Sequence, residues 1–213
     1  MKRSWVLLSL VLPALLAGGC RRKSHEELAT PKGAAKTWFA AVEHGDAELA
    51  KACVAIQNEE QSRYVDALVS AEAALNKLQE AAVARYGDAG KRIREGSETI
   101  VNVAQQIDAA EERVEGGSVT LSLKGEPRSI KLVKVDEDWK VDFASVAGTV
   151  DGRRIELLTA LSSAAHEVAA QVAAGRFASV QEAHKAFGER VLTLPISADP
   201  ATHGTKPKKK QDK

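Results

Sequence analysis

Apolar positions recur at two periods along this chain, and the change of period divides it into helix, then sheet, then helix again. Ala35, Trp38, Phe39 and Val42 fall at i, i+3, i+4 and i+7, one face of a helix. Thr30-Pro31 ahead of them is a cap followed by a first-turn proline, and Gly45 closes the segment. Asp46 caps a second helix carrying Leu49, Ala52, Cys53 and Ile56. A third helix is expected from about Glu59 to Arg85. Its Tyr64, Leu68, Ala71, Leu75, Leu78 and Ala82 are spaced four, three, four, three, four, a heptad seam over fewer than three heptads. That seam packs either on this same chain or on a second one. Gly87 and Gly90 break the helix, and Ser97 to Gln106 reads as another, with Ile100, Val103, Ala104 and Ile107 inward.

The period then drops to two. Val119, Leu121 and Leu123 alternate with Thr120, Ser122 and Lys124, and Trp139, Val141 and Phe143 alternate with Lys140 and Asp142. Gly116-Gly117 and Asp136-Glu137-Asp138 are turn signals. Ser129 to Val135 is a strand in which Val133 sits opposite Ile130 and Leu132, so a bulge or a two-sided environment is expected there. The pattern predicts an antiparallel sheet of about four strands, starting near Ala110. Helices return with the stripe Ile155, Leu158, Leu161, Ala165, Val168 and Val172, which Gly175 stops. Ser179 and Glu182 form a capping box ahead of Val180, Ala183, Phe187 and Val191. The fold class is therefore α+β: N-terminal helices on a curved antiparallel sheet, with added C-terminal helices.

Composition narrows this little. The 213 residues are 44% apolar but only 4% aromatic, which suits helices with small contact residues. Net charge is +1, which argues against a general binder of nucleic acid. From Pro195 onward the chain is polar and ends GTKPKKKQDK, which reads as a disordered Lys-rich tail over 194–213.

The first residues change the picture more. Lys2 and Arg3 precede an apolar run from Trp5 to Ala17, too short to span a bilayer, which takes about 20 residues. Ala17, Gly18 and Gly19 then lead into Cys20, followed by Arg21, Arg22 and Lys23. This stretch resembles a bacterial lipoprotein signal, residues 1–19, with a tether over 20–29. The resemblance implies that Cys20 becomes the acylated first residue of the mature protein. Several acyl chains on one residue anchor firmly where one does so only marginally, and the three basic residues add attraction to an anionic surface. Arg21 is not the aspartate that tends to retain such proteins in the inner membrane of enterobacteria. Localisation is expected to be the cell envelope, facing the periplasm or exterior. Cys53 is then the one remaining thiol, with no partner for an intramolecular disulfide, and reads as a buried helix-face residue.

The order TPKGAAKTWFAAVEHGDAELAKACV, then VEGGSVTLSL, then LVKVDEDWKVD resembles the cone-shaped α+β superfamily named after nuclear transport factor two, over residues 30–145. Residues 146–193 form a helical extension beyond that pattern. The resemblance implies a sheet wrapped around a helix, leaving a conical pocket. Trp38, Phe39, Val119, Leu121, Leu123, Trp139, Val141 and Phe143 are its expected lining, and none of them moves a proton at neutral pH. His166 and His184 lie on different helices with no second ligand at i+4, His44 is beside a helix-ending glycine, His25 and His203 lie in polar segments, and no phosphate-cradling loop or nucleophile elbow is present. No catalytic residue, metal or cofactor is expected.

The expected function is a lipid-anchored envelope protein with a non-catalytic domain. Its partners are the membrane, through Cys20, and a small apolar ligand or an envelope protein; the oligomeric state is left open. Two alternatives stand beside it. One is a small enzyme, isomerase- or dehydratase-like, with Tyr64, Asp108 or Glu112 near the cone's mouth. The other is a structural adaptor that oligomerises through the Tyr64–Ala82 seam.

Overall fold

A computed structural model describes residues 26–94, 103–125 and 129–193. The expectations for the leader, Cys20, the first part of the tether, residues 97–102 and the Lys-rich tail fall outside these residues.

The described residues open on a helical turn at 26–28 where a tether was expected, and Leu28 is buried in the core beside the first helix. Helix α1 covers Pro31–His44; the Thr30 side chain accepts from Gly33 N, and Gly45 closes the helix at φ 77°. Gly33 is required for closeness: a Cβ there would sit 2.1 Å from the Glu27 carbonyl oxygen. Helix α2 covers Ala47–Cys53, capped by the Asp46 side chain on Leu49 N. It ends three residues before the expected Ile56. Val54–Ala55 is instead a short strand, β1, lying parallel to a strand near the far end of the sheet. The apolar spacing of Cys53 and Ile56 fits a helix, but a sheet edge with exposed amides recruits Val54, a β-branched residue, at the register Val54↔Val141.

Helix α3 runs over Glu59–Tyr86, with Asn58 accepting from Gln61 N. A 3₁₀ segment, Gly87–Arg94, folds back on it. Gly90 is needed there because a Cβ would meet the Ala82 carbonyl carbon at 2.3 Å. Helix α4 is described over Val103–Asp108 and runs two residues past the expected end at Gln106; Ile107 is buried but Ala104 is exposed. Four antiparallel strands follow: β2 (Glu111–Glu115), β3 (Ser118–Ser122), β4 (Ser129–Val135) and β5 (Asp138–Asp142). The turns fall at the predicted glycine and acidic positions, Gly116 at φ 59° and Asp136 at φ 56°. β4 pairs in unbroken register on both sides, so the odd Val133 reflects partial cover of the outer face and not a bulge.

The sheet has five strands in the order β1-β5-β4-β3-β2, and the parallel β1 makes it mixed. Phe143 is not the end of β5. It opens the short helix α5, Phe143–Ala147, because the Asp142 side chain accepts from Ala144 N and caps a new turn. Helices α6 (Gly152–Ala173) and α7 (Val180–Leu192) follow. Gly175 follows α6 at φ 68°. Ser179 accepts from Glu182 N, while the Glu182 carboxylate accepts from Ala178 N.

Two apolar clusters result. The first joins α1, the N-terminal half of α3 and the inner face of the sheet. The second joins Ala74, Leu75, Leu78 and Ala82 of α3 to Ala164, Ala165, Val168 and Val172 of α6 and to Val180, Ala183 and Phe187 of α7. The heptad seam is thus consumed inside the chain. Small residues stand on both helices of this cluster, Ala74 and Ala82 on α3 and Ala164 and Ala165 on α6.

Candidate functional site

The expected pocket lining does come together, as one packed body. Trp38, Val119, Leu121, Val141 and Phe143 are buried in the first cluster, and Phe39, Leu123 and Trp139 pack against it. α1 supplies the two aromatic residues from one face. β3 supplies Val119 and Leu121, which lie beside Leu132 and Ile130 of β4 in the register Val119↔Leu132 and Leu121↔Ile130. The Phe143 ring meets Tyr64 edge to face, with centroids 5.7 Å apart. Side chains fill the space that a hollow cone would leave.

Tyr64 is held from the other side as well. The Arg154 guanidinium stands 5.3 Å from the ring centroid and points one nitrogen at the phenol oxygen, 3.5 Å away. The same arginine donates to the Ala147 carbonyl and, at 2.8 Å, to Thr149 O, so it closes α5 and fastens α6 to α3. Tyr64 is a structural joint. Sequence reasoning had no signal for Arg154, whose partners are brought near only by folding.

The other two enzyme candidates sit outside. Asp108 is exposed at the end of α4 and pairs with Lys36 at 2.8 Å. Glu112 lies on strand β2, not on a helix, 3.5 Å from Lys32. Asp66 faces Lys51 at 3.1 Å; Glu48 first, then Asp66, holds that ammonium above its ordinary pKa. Cys53 is fully buried, and desolvation pushes its thiol up to about 12. A thiol so placed is no nucleophile.

Clefts open elsewhere. One of about 430 Å³ lies on the outer side of α1, rimmed by Glu27, Lys36, Thr37, His44, Asp46 and Leu49. The Thr37 hydroxyl donates to Gly33 O at 2.9 Å, and His44 Nδ1 is 2.7 Å from Ala40 O, which assigns that nitrogen the proton. A second groove, about 1210 Å³, runs along α1 and α3 past Phe39 and Glu72. Arg94 and Val103, which flank residues 95–102, both line it, so it borders that connection and is given no role. Beside it, Arg94 donates to Glu72 at 2.8 Å and to Asn76 at 2.7 Å, which ties the 3₁₀ segment to α3.

Among the described residues no three His, Cys, Asp or Glu side chains group as metal ligands, and no helix is long and apolar enough to cross a membrane. No family model, no curated protein and no solved structure matches the chain.

Proposed function

We propose that this chain is a lipid-anchored cell-envelope protein whose domain binds a partner protein without catalysing a reaction. The observation that carries the reading is the filled inner face of the sheet. Val119, Leu121, Leu132 and Val141 lie among Trp38 and Phe143, and none of these groups transfers a proton at neutral pH. Of the two ligand classes, a filled interior favours a protein docking on the outside over a small apolar molecule held within. The two candidate carboxylates, Asp108 and Glu112, are engaged by Lys36 and Lys32, which removes support from the enzyme reading. The succession of helices and hairpins supports placing the domain with the cone-shaped superfamily that its sequence resembles, with the cone closed by its own side chains.

The anchor rests on the leader and on Cys20. Replacing Cys20 with serine in the full chain is expected to move the protein from the membrane to the soluble fraction and to remove the acyl mass from its amino terminus. Unchanged fractionation, or intact mass showing the leader retained on the native protein, overturns the anchor. Turnover of a small substrate that Val119→Ala abolishes overturns the non-catalytic half.

A further inference from the structure

An apolar row crosses the whole sheet and runs off one edge of it. Register places Val54, Val141, Leu132, Val119 and Val114 side by side, one from each strand, on the face that the helices cover. The first four are buried. Val114, on the outermost strand β2, is 69% exposed. All five residues of β2 are exposed, and among the described residues β2 pairs with β3 on one side only.

The hydrogen-bond parity of that edge follows from the register. Gly117 O accepts from Lys134 N, so residues 117, 119 and 121 direct their amides and carbonyls toward β4. Ser118, Thr120 and Ser122 therefore direct theirs toward β2, and their partners Glu115, Arg113 and Glu111 answer them. Glu112 and Val114 are left with N–H and C=O pointing away from the sheet.

Charge then selects among the ways in which a second strand can meet them. An antiparallel two-fold pairing centred on Glu112 faces Glu111 with Arg113 of the second copy twice but sets Glu112 against its own copy, and one centred on Glu115 sets that carboxylate against its own copy with no opposed pair of opposite charge within the strand. One centred on Arg113 opposes Arg113 to Arg113 and Glu111 to Glu115. Centred on Val114, the outward amides of Val114 bond to Val114 of the second copy, and Arg113 faces Glu115 of the second copy twice. The two charges already attract within one strand, at 2.9 Å. Charged edge strands normally discourage pairing; here one register turns the same charges into attraction.

We propose that β2 is a self-association edge: two copies of this chain join antiparallel about Val114, making one ten-stranded sheet. The buried apolar row then continues across the two-fold axis, and Val114 is covered by its own copy. The interface is isologous, so it closes at two copies. This inference is independent of the proposed anchor and of any other partner.

The test is cysteine cross-linking of the full chain, purified in detergent micelles and treated with a mild copper–phenanthroline oxidant. Val114→Cys is expected to give a disulfide-linked dimer. Arg113→Cys alone and Glu115→Cys alone are expected to stay monomeric on a denaturing gel, while a mixture of the two gives the dimer, because only residues 113 and 115 face each other. In sedimentation, Arg113→Glu is expected to weaken self-association roughly tenfold, and the double swap with Glu115→Arg to restore it. A Val114→Cys chain that remains monomeric overturns the proposal. So does Arg113→Cys cross-linking to itself as readily as Val114→Cys, which would mean another register.

Discussion

At the residue scale, the clearest case is Cys53. Its place between Leu49 and Ile56 marked it as a buried thiol, and burial is what the fold delivers. The thiol ionises at about 12 in the native state against an ordinary 9.0. Below pH 9 both states hold the proton and stability is unaffected. Between 9 and 12 the unfolded chain releases it while the native chain keeps it, so stability falls as pH rises through that window, by about 1.4 kcal/mol per pH unit at most. Between pH 8 and pH 10.5 the urea midpoint of the native chain is expected to fall further than that of Cys53→Ala, so that the advantage of the native chain at pH 8 shrinks as pH rises. At pH 8.5 iodoacetamide is expected to label Cys53 only in urea; equal labelling without urea would show that the thiol is accessible. Arg154 is the contrary case. A basic residue after Asp151-Gly152 looks like any solvated first-turn residue. Its bonds to Ala147 and Thr149, and its seat over Tyr64, depend on a loop and a helix 90 residues away being folded first.

At the element scale, period was a reliable guide wherever one partner surface dominated. α1, α3, β4, α6 and α7 lie close to where spacing put them. α2 and β5 show where it fails. Cys53-Val54-Ala55-Ile56 suits a helix by spacing, yet the edge of β5 offers backbone hydrogen bonds that no one-dimensional pattern records. At Phe143 a capping carboxylate one residue earlier overrides strand alternation. The α3 seam was legible, but its partner was not, since a heptad spacing is silent on whether the facing helix is its own. α6 supplies that partner. Leu78 is fully buried at this contact, and Leu78→Ala is expected to cost about 2–5 kcal/mol in urea unfolding. A loss under about 1 kcal/mol would mean that α3 and α6 do not pack as described.

At the scale of the whole molecule, α3 is the member common to both apolar clusters. Its N-terminal half serves the sheet and its C-terminal half serves α6 and α7. Among the described residues the tryptophans are Trp38 and Trp139, both on the sheet side. Phe187 lies in the other cluster. If the continuous helix couples the two, Phe187→Ala lowers the thermal midpoint seen by tryptophan fluorescence and that seen by far-ultraviolet circular dichroism together. A fluorescence midpoint that stays put while the helical signal melts earlier would show that the halves unfold separately. The candidate pocket also belongs to this scale. All eight lining residues were legible as inward-facing, since alternation and helical spacing report which side of an element is apolar. Whether the space between those sides is hollow depends on how near α1 and α3 approach the sheet.

By itself the sequence determined the class of the fold, most of its elements, the turns between its strands and the sidedness of each, because these follow from period, caps and glycines acting over a few residues. Tertiary structure alone decided that β1 joins the sheet, that the seam closes on α6, that Arg154 locks Tyr64, that α1 and the sheet pack their apolar faces together and that the apolar row ends exposed at Val114. Each of these is a distance between residues far apart in the chain, and local spacing carries no information about how closely two distant surfaces come together.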